Sequence, residues 1–204
     1  MKKFLKVLGI VLGLFLLIGI SIPFFFKDKA IGLIKDTANK ELLAKLDFKD
    51  VSLSIFRDFP NLSVRLNDIS VTGIDRFENI PLFSAKNVDV WLNLMDVIGG
   101  NDKMPIKSFH LEKPVINAIV LEDSTANYSI TKPSKPSEPS KMIIELKSFT
   151  INDGKVLYDN RMSNIKADIR GLNHKSKGDL SSNITDLSTK TTIDSLSVKS
   201  GGMQ

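Results

Sequence analysis

Leu66-Asn67-Asp68-Ile69-Ser70-Val71 carries two alternations of opposite parity, joined at Asn67-Asp68. Leu62, Val64 and Leu66 recur at every second position, as the inward side chains of a half-buried strand do. Ile69 and Val71 keep that period on the other parity. An uninterrupted strand would turn them to the opposite face, so an extra residue, or bulge, is expected near Asn67 and Asp68. The pattern returns forty positions later in Ile106, Phe109 and Leu111, and forty later again in Leu146, Phe149 and Ile151. The middles correspond too: Asn67-Asp68, Lys107-Ser108, Lys147-Ser148. A looser fourth copy, Ile193-Asp194-Ser195-Leu196 with Val198, follows at an offset of forty-seven. A period of roughly 20–50 residues points to a repeating architecture.

Working outward, Val51, Leu53 and Ile55 alternate with Ser52 and Ser54 as a preceding strand. Arg57 to Asn61 makes the turn, where Pro60 holds Phe59 extended. Val88, Val90, Leu92 and Leu94 alternate with Asp89, Trp91 and Asn93 before a turn at Gly99-Gly100. Val115 to Leu121 is apolar at nearly every position, as in a strand covered on both faces or lying against lipid. Lys155–Tyr158, Ile165–Leu172 and Asp186–Val198 continue the strands, punctuated by Gly154, Gly171 and Gly178. Lys132 to Ser140 repeats Lys-Pro-Ser, Lys-Pro-Ser, Glu-Pro-Ser, which favours polyproline II; it reads as a linker or loop, or else as a docking peptide for a proline-reading domain.

Ahead of the strands, Val7 to Phe26 holds no charge. As a helix it is about 30 Å long, enough to cross a bilayer's hydrocarbon core. The rivals are a cleaved secretory signal and a buried core helix. The run passes straight into Pro23-Phe24-Phe25-Phe26-Lys27 with no small residue pair for cleavage, which favours an uncleaved anchor. Lys2, Lys3 and Lys6 precede it and Lys27 and Lys29 follow, so positive-inside bias is weak. A six-residue tail cannot fold, however, and the bulk of the chain is expected outside the cytoplasm. Asp28 to Leu46 reads as a helix, with Ile31, Ile34, Ala38, Leu42 and Leu46 on one side. It packs against a sheet end or lies on the membrane surface.

The chain is 42% hydrophobic and 25% charged, with a net charge of +5 and no cysteine. The content suits a folded domain after the anchor. The lysines around the span suit anionic headgroups, and no basic stripe interleaved with aromatics suggests nucleic acid. His110 and His174 are the two histidines; His110 alternates with Phe109 and Leu111 and reads as a solvated strand position. No phosphate-binding loop, nucleophile elbow or zinc-protease sequence occurs, and no ligand types cluster for a metal. Asp153, Asp159, Asp168 and Glu122-Asp123 read as turn formers. Expected are no catalytic residues, no metal and no cofactor.

These residues resemble the AsmA family of bacterial envelope proteins, in its amino-terminal region. The resemblance rests on the anchor, the following helix, Val51-Ser52-Leu53-Ser54-Ile55-Phe56 running into Phe59-Pro60-Asn61, and Leu66-Asn67-Asp68-Ile69-Ser70-Val71. It continues through Leu82-Phe83-Ser84-Ala85-Lys86, Pro114-Val115-Ile116-Asn117, Ala126-Asn127-Tyr128, Gly154, Tyr158-Asp159 and Gly178-Asp179. Where the family usually has Asp-Gly ahead of the Ala-Asn pair, this chain has Asp123-Ser124, and a longer or looser turn is expected. The chain also stops soon after Ser200-Gly201-Gly202, as a truncated product or amino-terminal piece would.

The resemblance implies a mainly β protein with one transmembrane helix, an amphipathic helix and a curved, repeating antiparallel sheet that forms a chorein-like groove. It implies single-pass anchoring in the inner membrane, with the N-terminus cytoplasmic and the bulk periplasmic. The expected divisions are anchor and tail 1–27, helix and sheet 28–131, Pro-rich linker or loop 132–141, and further sheet 142–204. The implied partners are the inner membrane, phospholipid acyl chains and envelope proteins. Candidate groove positions are Val64, Leu66, Val88, Val90, Leu92, Phe109, Leu111, Ile119, Phe149 and Ile151, which could equally form ordinary sheet core. The leading reading is a conduit holding phospholipid between inner and outer membranes in support of outer-membrane biogenesis. The other is a structural or regulatory envelope protein whose sheet closes on its own core and acts on outer-membrane protein assembly through a partner; an enzyme would need a pocket with perturbed titratable groups.

Overall fold

The computed structural model describes residues 31, 32, 35, 36, 38, 42–54, 61–93, 95, 106–132, 144–178 and 187–201. The anchor 7–26, residues 55–60, Gly99-Gly100 and residues 133–140 lie outside them. Among the described residues no helix is long and apolar enough to cross a membrane.

Ten strands form one sheet: β1 (Ala44–Asp47), β2 (Asp50–Ser54), β3 (Asn61–Gly73), β4 (Pro81–Asn93), β5 (Ile106–Glu112), β6 (Val115–Val120), β7 (Ile144–Asn160), β8 (Ile165–Gly178), β9 (Leu187–Thr192) and β10 (Ser195–Ser200). The order is β1-β3-β4-β5-β7-β8-β10, with β2 beside β3, β6 beside β4 and β7, and β9 beside β8. The sheet is mixed, not wholly antiparallel as expected, because β5 and β6 each run parallel to β7. A parallel pair needs a crossover of about a dozen residues or more. The connection between β6 and β7, which contains the Pro-rich stretch, supplies that length.

The parallel pairing also accounts for part of the forty-residue period. Phe109 stands beside Phe149, Leu111 beside Ile151, and Val115 beside Lys155. The first copy is not equivalent in space: Leu66 is level with Val88, and Val88 with Leu111, not with Ile106.

One line of interruption crosses the whole sheet among the described residues. β1 and β2 share one register against β3, Asp47 with Ser70 and Asp50 with Asn67, and break only at Phe48-Lys49. Likewise β5 and β6 share a register against β4 and break at Lys113-Pro114. β9 and β10 share one against β8 and break at Ile193-Asp194. In the unbroken strands the same line passes through Asp68, Lys86 and Asp153-Gly154 and reaches Gly171-Leu172. Asp68 (φ 49°), Lys113 (φ 50°), Asp153 (φ 52°) and Gly171 (φ 62°) are left-handed there. Gly171 has no room for a side chain, since a Cβ would collide with the Asp194 carboxylate.

This crease explains the change of apolar parity at Asn67-Asp68; the changes at Lys107-Ser108 and Lys147-Ser148 fall at a separate register shift in β5 and β7. A left-handed residue interrupts the pleat, so the alternation restarts one position later without changing face. Leu66 and Ile69 on β3, and Ala85 and Val88 on β4, accordingly share one core cluster with Phe48 and Val51. The lower half of the sheet comprises β2, β5, β9 and the adjoining parts of β3, β4, β7 and β8; β1, β6 and β10 belong to the upper half.

Ile31, Gly32, Lys35, Asp36 and Ala38 are helical, and Ile31 packs on the core cluster. Lys35 Nζ lies 3.0 Å from Asp47 Oδ1 and 4.8 Å over the Phe48 ring. The helix does not reach Leu46 as expected. Leu42 N–H still donates to Ala38 O at 2.8 Å, but Leu43 N–H is taken by Ile130 O at 2.6 Å, and Ala44 to Asp47 pair with β3.

The turn at Asp123-Ser124 is tight, contrary to expectation. Ser124 adopts φ 68° and its N–H donates to Leu121 O at 3.1 Å, so serine takes the conformation that glycine favours. Arg76 hydrogen-bonds the Asp123 carboxylate and holds its pKa down at about 2. The following Asn127 is buried, accepts from Ile119 N–H at 2.8 Å and donates to Asn117 O at 2.7 Å. Its side chain thus substitutes for a paired strand along β6. Asp159 and Asp168, expected in turns, lie within β7 and β8.

Candidate functional site: the apolar face of the sheet

Cross-strand partners share a face, so the registers give the site directly. In the lower half Leu53, Val64, Val90, Phe109 and Phe149 form one row. Val51, Leu66, Val88, Leu111 and Ile151 form the next. Leu62 and Leu92 begin a third, which meets Ile106 across a register shift. Nine of the ten candidate positions are therefore neighbours on one face. Ile119 is not among them: it is buried, but its register partners are Asp159 on β7 and, through it, Lys166 on β8. In β6 the alternate residues Ile116 and Ala118 face the apolar side instead.

The upper half extends that side through residues the sequence reading did not select. Leu46, Val71, Phe83, Ile116, Val156, Ile169 and Leu196 make a row across all seven strand positions. Ala118, Tyr158, Ala167 and Val198 make the next. The parity change was their signal, since each strand's second alternation lies on the same face as its first. In the lower half the apolar rows end at β7, where Phe149 meets Ser176 and Ile151 meets His174. The Phe149 and His174 rings are 5.6 Å apart.

Cover over this face is uneven. Near β2 and β3 it is closed, with Val51 1% and Leu66 8% exposed. At β10 it is open, with Leu196 56% and Val198 60% exposed. Each methylene moved from water onto such a surface and fully covered gains about 0.8 kcal/mol.

The reverse face is polar. Ser52, Arg65, Asp89, His110, Thr150, Lys175 and Lys190 form a row there. Asp89, 2% exposed, accepts from Arg65 Nε at 2.5 Å and Nη2 at 3.1 Å, and this raises the Arg65 pKa. Asp168, hydrogen-bonded by Arg170, is held below the usual carboxylate range. Ser148 Oγ donates to Ser108 Oγ at 2.9 Å, and His110 Nε2 is 3.5 Å from Glu112. Two surface concavities, of about 550 and 400 Å³, lie on this polar side. Among the described residues no group of three or more His, Asp or Glu is placed to hold a metal.

No curated protein and no solved structure matches the chain. A family model described as AsmA family matches residues 1–200. By that match, which runs through the uncharged stretch 7–26 and every strand, the chain belongs to the AsmA family.

Proposed function

We propose that this chain is a membrane-anchored envelope protein that holds phospholipid acyl chains along the apolar face of its sheet. It supports outer-membrane biogenesis by conducting phospholipid between inner and outer membranes, with headgroups left in water and no catalytic step. The observation that carries this is the apolar row that runs unbroken from Leu46 on β1 to Leu196 on β10, on a face closed near β2 and β3 and more than half exposed at Leu196 and Val198. A contiguous apolar surface left exposed to water marks a binding site for an apolar partner. The uncharged stretch 7–26 supports the anchoring, and the parallel β5–β7 register supports an extended sheet.

The test is mass spectrometry of phospholipid retained by the full chain in amphipol, compared with Val90→Asp. Lipid near stoichiometry in the native chain, and several-fold less in a variant that keeps its strand circular dichroism, is the expected result. A native chain without lipid, or a Val90→Asp chain that unfolds, overturns the reading in favour of a closed core. A second reading, an envelope protein acting through a protein partner, is favoured by one feature, the sheet edge at β9 and β10, which offers backbone groups for another strand.

A further inference from the structure

The two halves of the polar face treat charge differently. In the upper half acids answer bases: Asp168 lies 2.8 Å from Arg170, and Asp159 lies 3.4 Å from both Arg161 and Lys166. In the lower half Lys175 on β8 stands directly opposite Lys190 on β9. Lys177 is two residues along β8, on the same face, beside Ser148 of β7. Lys107 and Lys147 rim the concavity of about 400 Å³, into which His110 also faces. Among the described residues none of these five lysines makes an ion pair. Two acids of this face are engaged with other residues, Asp89 with Arg65 and Glu112 with His110.

Like charges in directly opposite cross-strand positions are destabilising, so the Lys175–Lys190 pair is a liability unless an anion neutralises it. The lysines are spread over four strands on an open lattice, about 4.8 Å apart between strands and about 6.6 Å between alternate residues. That arrangement presents several charges to a surface and does not enclose one ion. We infer that the lower polar face of β5, β7, β8 and β9 docks on an anionic phospholipid bilayer, whose phosphate headgroups neutralise the lysines. The inference is independent of acyl-chain carriage, which uses the opposite face.

The test embeds the full chain in phosphatidylcholine nanodiscs and measures co-flotation with phosphatidylcholine vesicles containing or lacking phosphatidylglycerol. Flotation should require phosphatidylglycerol and fade with salt, as the Debye length falls from about 10 Å at 0.1 M to about 3 Å at 1 M. Each lysine near an anionic surface is worth about fivefold in partitioning, so Lys175→Gln, Lys177→Gln and Lys190→Gln together should weaken it on the order of a hundredfold. The same three positions changed to Arg should retain it. The triple Gln variant should melt at or above the native temperature at low salt. Flotation with neutral vesicles alone, native flotation of the triple Gln variant, or a lowered melting temperature in that variant would each overturn the inference. Displacement by inorganic phosphate beyond an equal ionic strength of chloride would also do so, by assigning the lysines to a free anion.

Discussion

Among the described residues Asp89 is the most buried carboxylate on the polar face, and it depends on one neighbour. Its two hydrogen bonds come from Arg65, whose side chain is 44% exposed. Removing the cation strands the acid in a buried strand position. A fully buried pair loses about 3–5 kcal/mol when one partner is removed; the exposure of Arg65 lowers this, and Arg65→Gln should destabilise by about 2–3 kcal/mol in urea unfolding. A loss below about 0.5 kcal/mol would place the pair with ordinary surface ion pairs. The sequence placed Asp89 between Val88 and Val90 and so on the side away from them. Its partner lies 24 residues back, and only the β3–β4 register brings the two together. Side-chain parity is a local property; pairing depends on where each turn sets the register.

The crease makes the opposite demand on its residues. Lys113 is exposed and left-handed at φ 50°, a conformation costing an L-residue roughly 1–2 kcal/mol. Glycine adopts it freely but has more unfolded-state entropy to lose, about 0.4–1 kcal/mol. Lys113→Gly should therefore stabilise by about 0.5–1 kcal/mol, and Lys113→Val should destabilise by at least about 1 kcal/mol, since β-branched residues tolerate positive φ poorly. If the strand ran straight through, both signs would reverse, because valine favours strands and glycine weakens them. Thermal or urea unfolding of the two variants decides the matter. The parity change at Asn67-Asp68 was legible because it is a violation of strand period within a few residues. The parallel direction of β7 was not, since nothing local distinguishes a strand entered from one end from a strand entered from the other. Leu46 is ambiguous in sequence for a related reason: it satisfies both the helical spacing from Leu42 and the strand alternation with Ala44, and the carbonyl of Ile130, far along the chain, selects the strand.

At the scale of the molecule the sheet has one apolar and one polar side, and the crease keeps the apolar side continuous where simple alternation would have exchanged the two. Nine of the ten expected groove positions share that side, each on the apolar alternation of its own strand and brought level by the registers. Ile119 was chosen from a run in which every residue is apolar, where parity carries no information. The open end at Leu196 and Val198 shows only in three dimensions, since exposure at an edge depends on which strand comes last. Carriage of acyl chains on this side makes a position-by-position demand along β7, whose Phe149 and Ile151 are on the apolar face and whose Thr150 and Asn152 are on the polar one. The most direct measurement places a photocrosslinking residue at each of these four sites in the full chain within its own membranes and identifies the adducts by mass spectrometry. Phospholipid adducts at 149 and 151, and none at 150 and 152, are the predicted result; equal labelling at all four, or protein adducts alone at 149 and 151, would contradict it.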